Sequence, residues 1–233
     1  MNDYISEYPV QRGFSTVSAI YDLVAGRGFI GGSYAAFMVA PMSDRRVNGR
    51  AMFAPFLPND IDVFATSGDA ARAIANDLYD CMGMTWDIET DVAYSMTPQG
   101  DEPALPVQVV KPHPDWKKFP EDILQSFDMD VCRAVLISPN TILADQNAGA
   151  DLGKLLRINH PLRSLKRVLK YHARGVSFNE WELLKVFRAW DQMKPEDKQA
   201  LIDAHDPQNK LGSSSYDGDP YDWYDDDDWF EGE

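Results

Sequence analysis

Hydrophobic and polar positions follow two periods along this chain, and the change of period organises it. In residues 15–26, Val17, Ile20, Tyr21 and Val24 recur at three- to four-residue spacing, which predicts an amphipathic helix. Phe29-Ile30 reads as a short strand running into Gly31-Gly32-Ser33, and residues 34–40 resume a helical pattern. Pro41, Gly49, Pro55 and Pro58 make 41–58 irregular. A strand is predicted from Ile61 to Ala65, then an amphipathic helix from Asp69 to Met82 with Ala71, Ile74 and Leu78 on one side. Trp86–Glu89, Val92–Met96 and Val107–Val110 read as further strands. Pro120 opens a short helix to Phe127, and Met129 to Ile137 reads as one long apolar strand. Beyond residue 150 the pattern is all helical, over 151–158, 161–174, 178–191 and 195–205. Pro161 and Pro195 suit first turns and Gly175 suits a stop.

These elements predict an α/β (α+β) domain over residues 1–150, a small helical domain over 151–210 and a tail over 211–233. Composition agrees, with 233 residues of which 44% are hydrophobic and 25% charged, so collagen, coiled coil and full disorder are excluded. No apolar run reaches the ~18 residues of a membrane span. The first residues lack a basic start and an apolar stretch, so no signal peptide is expected. Cys81 and Cys132 cannot make a disulfide framework and fit no zinc spacing, so a cytoplasmic protein is expected.

Charge changes the picture at the C-terminus. The chain carries −15, and Leu211–Glu233 holds nine acidic residues and no Lys or Arg. The body is mildly acidic, which argues weakly against nucleic acid as partner. Like-charge repulsion predicts a disordered tail. Its Tyr216, Tyr221, Trp223, Tyr224, Trp229 and Phe230 leave two readings, a solubilising segment or one that docks on a basic, partly apolar groove.

Candidate chemistry sits in the first domain. Residues i and i+2 of a strand share a face, so Asp60 and Asp62 stand side by side. Two adjacent carboxylates repel, and hard oxygen ligands suit Mg²⁺. Gly31 and Gly32 let backbone approach a phosphate, and Ser33 adds a hydroxyl at a helix N-terminus that favours anions. Phe127-Asp128-Met129-Asp130 supplies two candidates for a third carboxylate on a neighbouring strand.

The order Gly31-Gly32-Ser33, Asp60-x-Asp62, then a later strand aspartate resembles the polymerase-β-like nucleotidyltransferase superfamily, over roughly residues 14–137. The resemblance implies a mixed sheet with flanking helices. It implies that Gly31, Gly32 and Ser33 hold a nucleoside triphosphate, ATP among the candidates. Asp60 and Asp62 would bind Mg²⁺ or Mn²⁺. Asp130 is the first choice for the third acid, which helps activate the attacking hydroxyl, with Asp128 the alternative. The stretch between Ser33 and Asp60 is longer than is usual in that superfamily. Its Met42, Arg45, Arg46, Arg50, Met52, Phe53 and Phe56 would then be an insertion that shapes the pocket.

A second feature is basic. Residues 152–179 hold seven Lys or Arg and no acid. On a helix Arg163, Lys166, Arg167, Lys170 and Arg174 share one face, with Leu162, Leu165, Val168 and Leu169 opposite. They read as a phosphate-binding wall, a track for an RNA acceptor, or a solvated face. His160 reads as the cap of a helix, His113 as an exposed loop residue, Cys132 as core, and Trp181 and Trp190 as packing anchors. The expected function is nucleotidyl transfer to an RNA, protein or small-molecule hydroxyl. The alternative is a catalytically silent interaction protein whose acidic tail mimics nucleic acid or recruits a partner.

Overall fold

The computed structural model describes residues 5–10, 15–39, 46–47, 50–51, 58–99, 105–112, 119–158 and 160–205. The elements in chain order are β1 (Ile5–Pro9), α1 (Ser15–Val24), β2 (Gly28–Gly31), α2 (Gly32–Val39), β3 (Arg46–Val47), β4 (Arg50–Ala51), β5 (Ile61–Ala65) and α3 (Gly68–Met82). Then come β6 (Met84–Glu89), β7 (Ala93–Pro98), β8 (Val107–Val110), α4 (Pro120–Ser126), a 3₁₀ turn (Asp130–Cys132), β9 (Ala134–Ser138) and β10 (Thr141–Asp145). The last are β11 (Leu152–Gly153), α5 (Pro161–Ala173), β12 (Ser177–Phe178), α6 (Glu180–Gln192) and α7 (Pro195–His205).

Eight strands form one sheet in the order β1-β10-β9-β2-β5-β8-β7-β6. β5 and β8 run parallel and the other neighbours antiparallel, so the sheet is mixed. Strand alternation gives each face its own core. Ile30, Ile61, Val63, Val107, Val109, Leu136 and Ile142 point to one face and bury against α1, α2 and α3. Phe64 and Val135 point to the other, where they pack with α4, α5 and α6 through Ile123, Leu124, Val168, Tyr171 and Val186. This second core joins residues from both sides of position 150. Helix ends follow local chemistry. Ser67 Oγ accepts from the Ala70 amide to start α3, and Gly83 ends it with φ of 62°. The expected cap at α5 is present, since His160 Nδ1 accepts from the Arg163 amide.

Four expectations are corrected. The run from Met129 to Ile137 is not one strand. It folds as the 3₁₀ turn Asp130–Cys132, closed by the Arg133 amide donating to the Asp130 carbonyl, and then β9. The Asp130 carboxylate is tied across the chain to the Lys154 amide and Asn147, a tertiary contact that apolar spacing does not reveal. Residues 151–158 are not helical; Leu152–Gly153 pairs in parallel with Ser177–Phe178, so the region after 150 carries a small two-stranded sheet. Leu169 is 57% exposed, and Trp181 is 52% exposed with the Arg188 guanidinium over its ring, so neither anchors a core. Four strands, β1, β3, β4 and β10, fall on segments with no predicted element. The tail, His113, and Met42, Arg45, Met52, Phe53 and Phe56 lie outside the described residues.

Candidate functional site

β5 places the site. Ile61, Val63 and Ala65 face the α1–α3 core, so Asp62 is turned with Phe64 toward the α5 side, and Asp60 stands just before the strand, buried. Asp62 pairs in register with Gly31 of β2 on one side and with Gln108 of β8 on the other.

The glycine turn is shaped around these residues. An added Cβ at Gly31 would stand 2.9 Å from a Phe64 ring carbon. Gly32 has a φ of +73°, and a Cβ there would stand 2.5 Å from Asp62 Oδ2. Only glycine satisfies both the left-handed backbone and this close approach. Asp62 therefore sits against the first residue of α2, and Ser33 follows, buried at 5% exposure. The predicted GGS turn and acid pair are one locus in three dimensions.

α5 supplies the counter-charges. Pro161, Ser164, Val168 and Tyr171 form its buried stripe. Arg167, Lys170 and Arg174 flank that stripe, half-buried, and their charges act on Asp60; those of Arg167 and Lys170 act on Asp62. Burial pushes both carboxyls upward, and Asp60 pushes Asp62 further. Burial also lowers Lys170 to about 7, with Arg174 adding to the fall and Asp60 opposing it. Lys166 is exposed, and Arg163 lies a turn earlier, beside the His160 cap.

The two third-acid candidates have different surroundings. Asp130 is 1% exposed. Its Oδ1 accepts from the Lys154 amide at 2.7 Å and its Oδ2 from Asn147 Nδ2 at 2.9 Å. Burial raises it to about 6 against the pull of those two donors. Asp128 instead meets the site's own cation, with Oδ1 2.9 Å from Arg167 Nη1.

Among the described residues no group of three His, Cys, Asp or Glu side chains is arranged to hold a metal ion. The residues present are two aspartates on one face whose mutual repulsion is relieved by positive charge. Such a pair fits Mg²⁺, which takes one or two carboxylates and completes its shell with substrate phosphates and water.

Gln108 is the residue that sequence reasoning missed. It has no signal of its own in Val107-Gln108-Val109-Val110; only the parallel β5–β8 register puts it beside Asp62. The comparisons add no relative: no family model matches this chain, and no curated protein is significantly similar to it.

Proposed function

We propose that this chain is a metal-dependent nucleotidyltransferase. It moves a nucleoside monophosphate from a nucleoside triphosphate to an acceptor hydroxyl on RNA, a protein or a small molecule, releasing pyrophosphate. One observation supports this most: Asp60 and Asp62 share a face with Arg167, Lys170 and Arg174, beside the Gly32-Ser33 start of α2. Asp60 and Asp62 would hold Mg²⁺ or Mn²⁺, which supplies Lewis-acid stabilisation to the phosphoryl oxygens. The three α5 cations offset phosphate charge, and the α2 N-terminus with Ser33 adds hydrogen-bond donors. Asp128 suits the role of third carboxylate better than Asp130, since both Asp130 oxygens are already engaged with Lys154 and Asn147. The acceptor's attacking hydroxyl would then lose its proton to Asp128.

The test is label transfer from each α-labelled nucleoside triphosphate, with Mg²⁺ and then Mn²⁺. RNA, lysate and the protein itself serve as acceptors. Label that disappears in Asp60→Asn/Asp62→Asn is the expected result. No label anywhere, from a folded protein that binds no nucleotide, overturns the reading.

One observation favours the silent interaction protein instead. Asp60, Asp62 and Asp128 are faced by Arg167, Lys170 and Arg174, so the chain's own residues already supply countercharge to the cluster. On that reading metal leaves the melting temperature unchanged, and deletion of Leu211–Glu233 abolishes capture of a basic partner.

A further inference from the structure

Arg167 connects the acid pair to Asp128, and the two ends of that connection differ in stiffness. Asp128 is held by its backbone: its carbonyl accepts from the Leu156 amide at 2.7 Å, and Met129 bridges to Leu155. Arg167 reaches it on a long side chain from α5. Its Nη1 is 2.9 Å from Asp128 Oδ1, yet that buried oxygen has no aligned hydrogen bond. Its Nη2 meets Cys132 Sγ at 3.7 Å, a weak acceptor, and the Tyr171 hydroxyl also faces it. Guanidinium groups prefer forked, aligned pairing with two oxygens of a carboxylate or phosphate. This pair uses one carboxylate oxygen without alignment. The charge of the same guanidinium is felt at both Asp60 and Asp62, and Asp62 lies against Gly32 of the glycine turn.

We propose that the Asp128–Arg167 ion pair is a latch: an incoming polyphosphate takes the guanidinium from Asp128, so Asp128, besides its proposed role as proton acceptor, sets nucleotide affinity through Arg167. The inference rests on the nucleotide reading above. The exchange frees the Asp128 carboxylate at the moment the triphosphate arrives. It also couples occupancy to proton acceptance, because without ligand Asp128 stays bound to Arg167.

The test is equilibrium binding of ATP and of inorganic triphosphate to the full chain in EDTA, which removes the metal from the comparison. Asp128→Asn is expected to tighten binding of both ligands about 10-fold, the order expected when a charged competitor for one guanidinium is removed. Arg167→Lys, which keeps the charge but loses the fork, should weaken it. A purely structural Asp128 would leave affinity unchanged or lower it, and that result overturns the latch while leaving the nucleotide reading intact. Failure of the wild-type chain to bind either ligand overturns both. Should Asp128→Asn not fold, the Arg167 side-chain Nε–H resonance of the wild type decides the matter. A shift at saturating triphosphate supports the exchange, and an unmoved resonance overturns it.

Discussion

Two short motifs of the same form, Asp60-Ile61-Asp62 and Asp128-Met129-Asp130, meet opposite fates in this fold. The first lies at the start of a central strand, between β2 and β8, where the pleat keeps both carboxylates on one face. Their charges stay concentrated; burial raises both, and Asp60 raises Asp62 further. The second leads into a 3₁₀ turn and is divided between partners. Asp130 goes to the Lys154 amide and Asn147, and Asp128 to Arg167. A carboxylate with two hydrogen-bond donors holds structure together. A carboxylate beside another carboxylate is strained by its neighbour, and such strain is the mark of a site arranged for something else.

That contrast can be broken by substitution. Asp130→Ala has the largest expected effect, a loss of about 3 kcal/mol in urea unfolding, because it orphans the Lys154 amide and the Asn147 side chain in a buried place. A loss under about 1 kcal/mol would place Asp130 outside the structural role assigned here. Next comes pH. The folded Asp130 carboxyl is raised to about 6, above its unfolded value near 3.9, so the native state binds the extra proton between those values. Stability therefore falls as pH rises from about 4 to about 6, by about 2–3 kcal/mol, and is then flat with respect to this group. Asp130→Asn should flatten that portion of the stability–pH curve; an unchanged slope would contradict the assignment.

Arg167→Met leaves Asp128 without its cation. A cost of about 2 kcal/mol is expected, less than for a fully buried pair because both side chains keep some exposure. Asp128→Asn/Arg167→Met together should recover most of it, which a double-mutant cycle would read. Gly32→Ala is expected to cost about 1 kcal/mol, from the left-handed backbone and the 2.5 Å approach to Asp62 Oδ2, and to abolish label transfer by displacing that carboxylate. Smallest is Asp62→Asn. It relieves repulsion, so thermal melting should stay within a degree or two of wild type or rise slightly while transfer is lost. A large fall in melting temperature would make Asp62 a structural residue like Asp130 and erase the comparison.

Legibility followed the range of the interaction concerned. α1, α3, α5 and β5 were readable because their apolar spacing and end signals are local, down to the His160 cap and the Gly175 stop. β1 was not. Ile5–Pro9 carries Ser6, Glu7 and Pro9, and it becomes a strand by pairing with β10, far away in sequence. The site divided in the same manner. Gly31, Gly32, Ser33, Asp60 and Asp62 were named from order and residue type. Gln108 and the choice between Asp128 and Asp130 were hidden, because a glutamine in an apolar strand looks alike whichever neighbour it has.

By itself the sequence determined the local elements, the face shared by Asp60 and Asp62, and the basic stripe on α5, since each is a periodic or nearest-neighbour property. Tertiary structure alone decided that Arg167, Lys170 and Arg174 come to rest over that acid pair. It alone set Gln108 beside Asp62 and drew Asp130 away into the Lys154–Asn147 turn. The physical reason is that strand register and helix-on-sheet docking are fixed by burial of two cores on opposite faces of one sheet. Where a charge finds its partner depends on that packing, which no short window of residues contains.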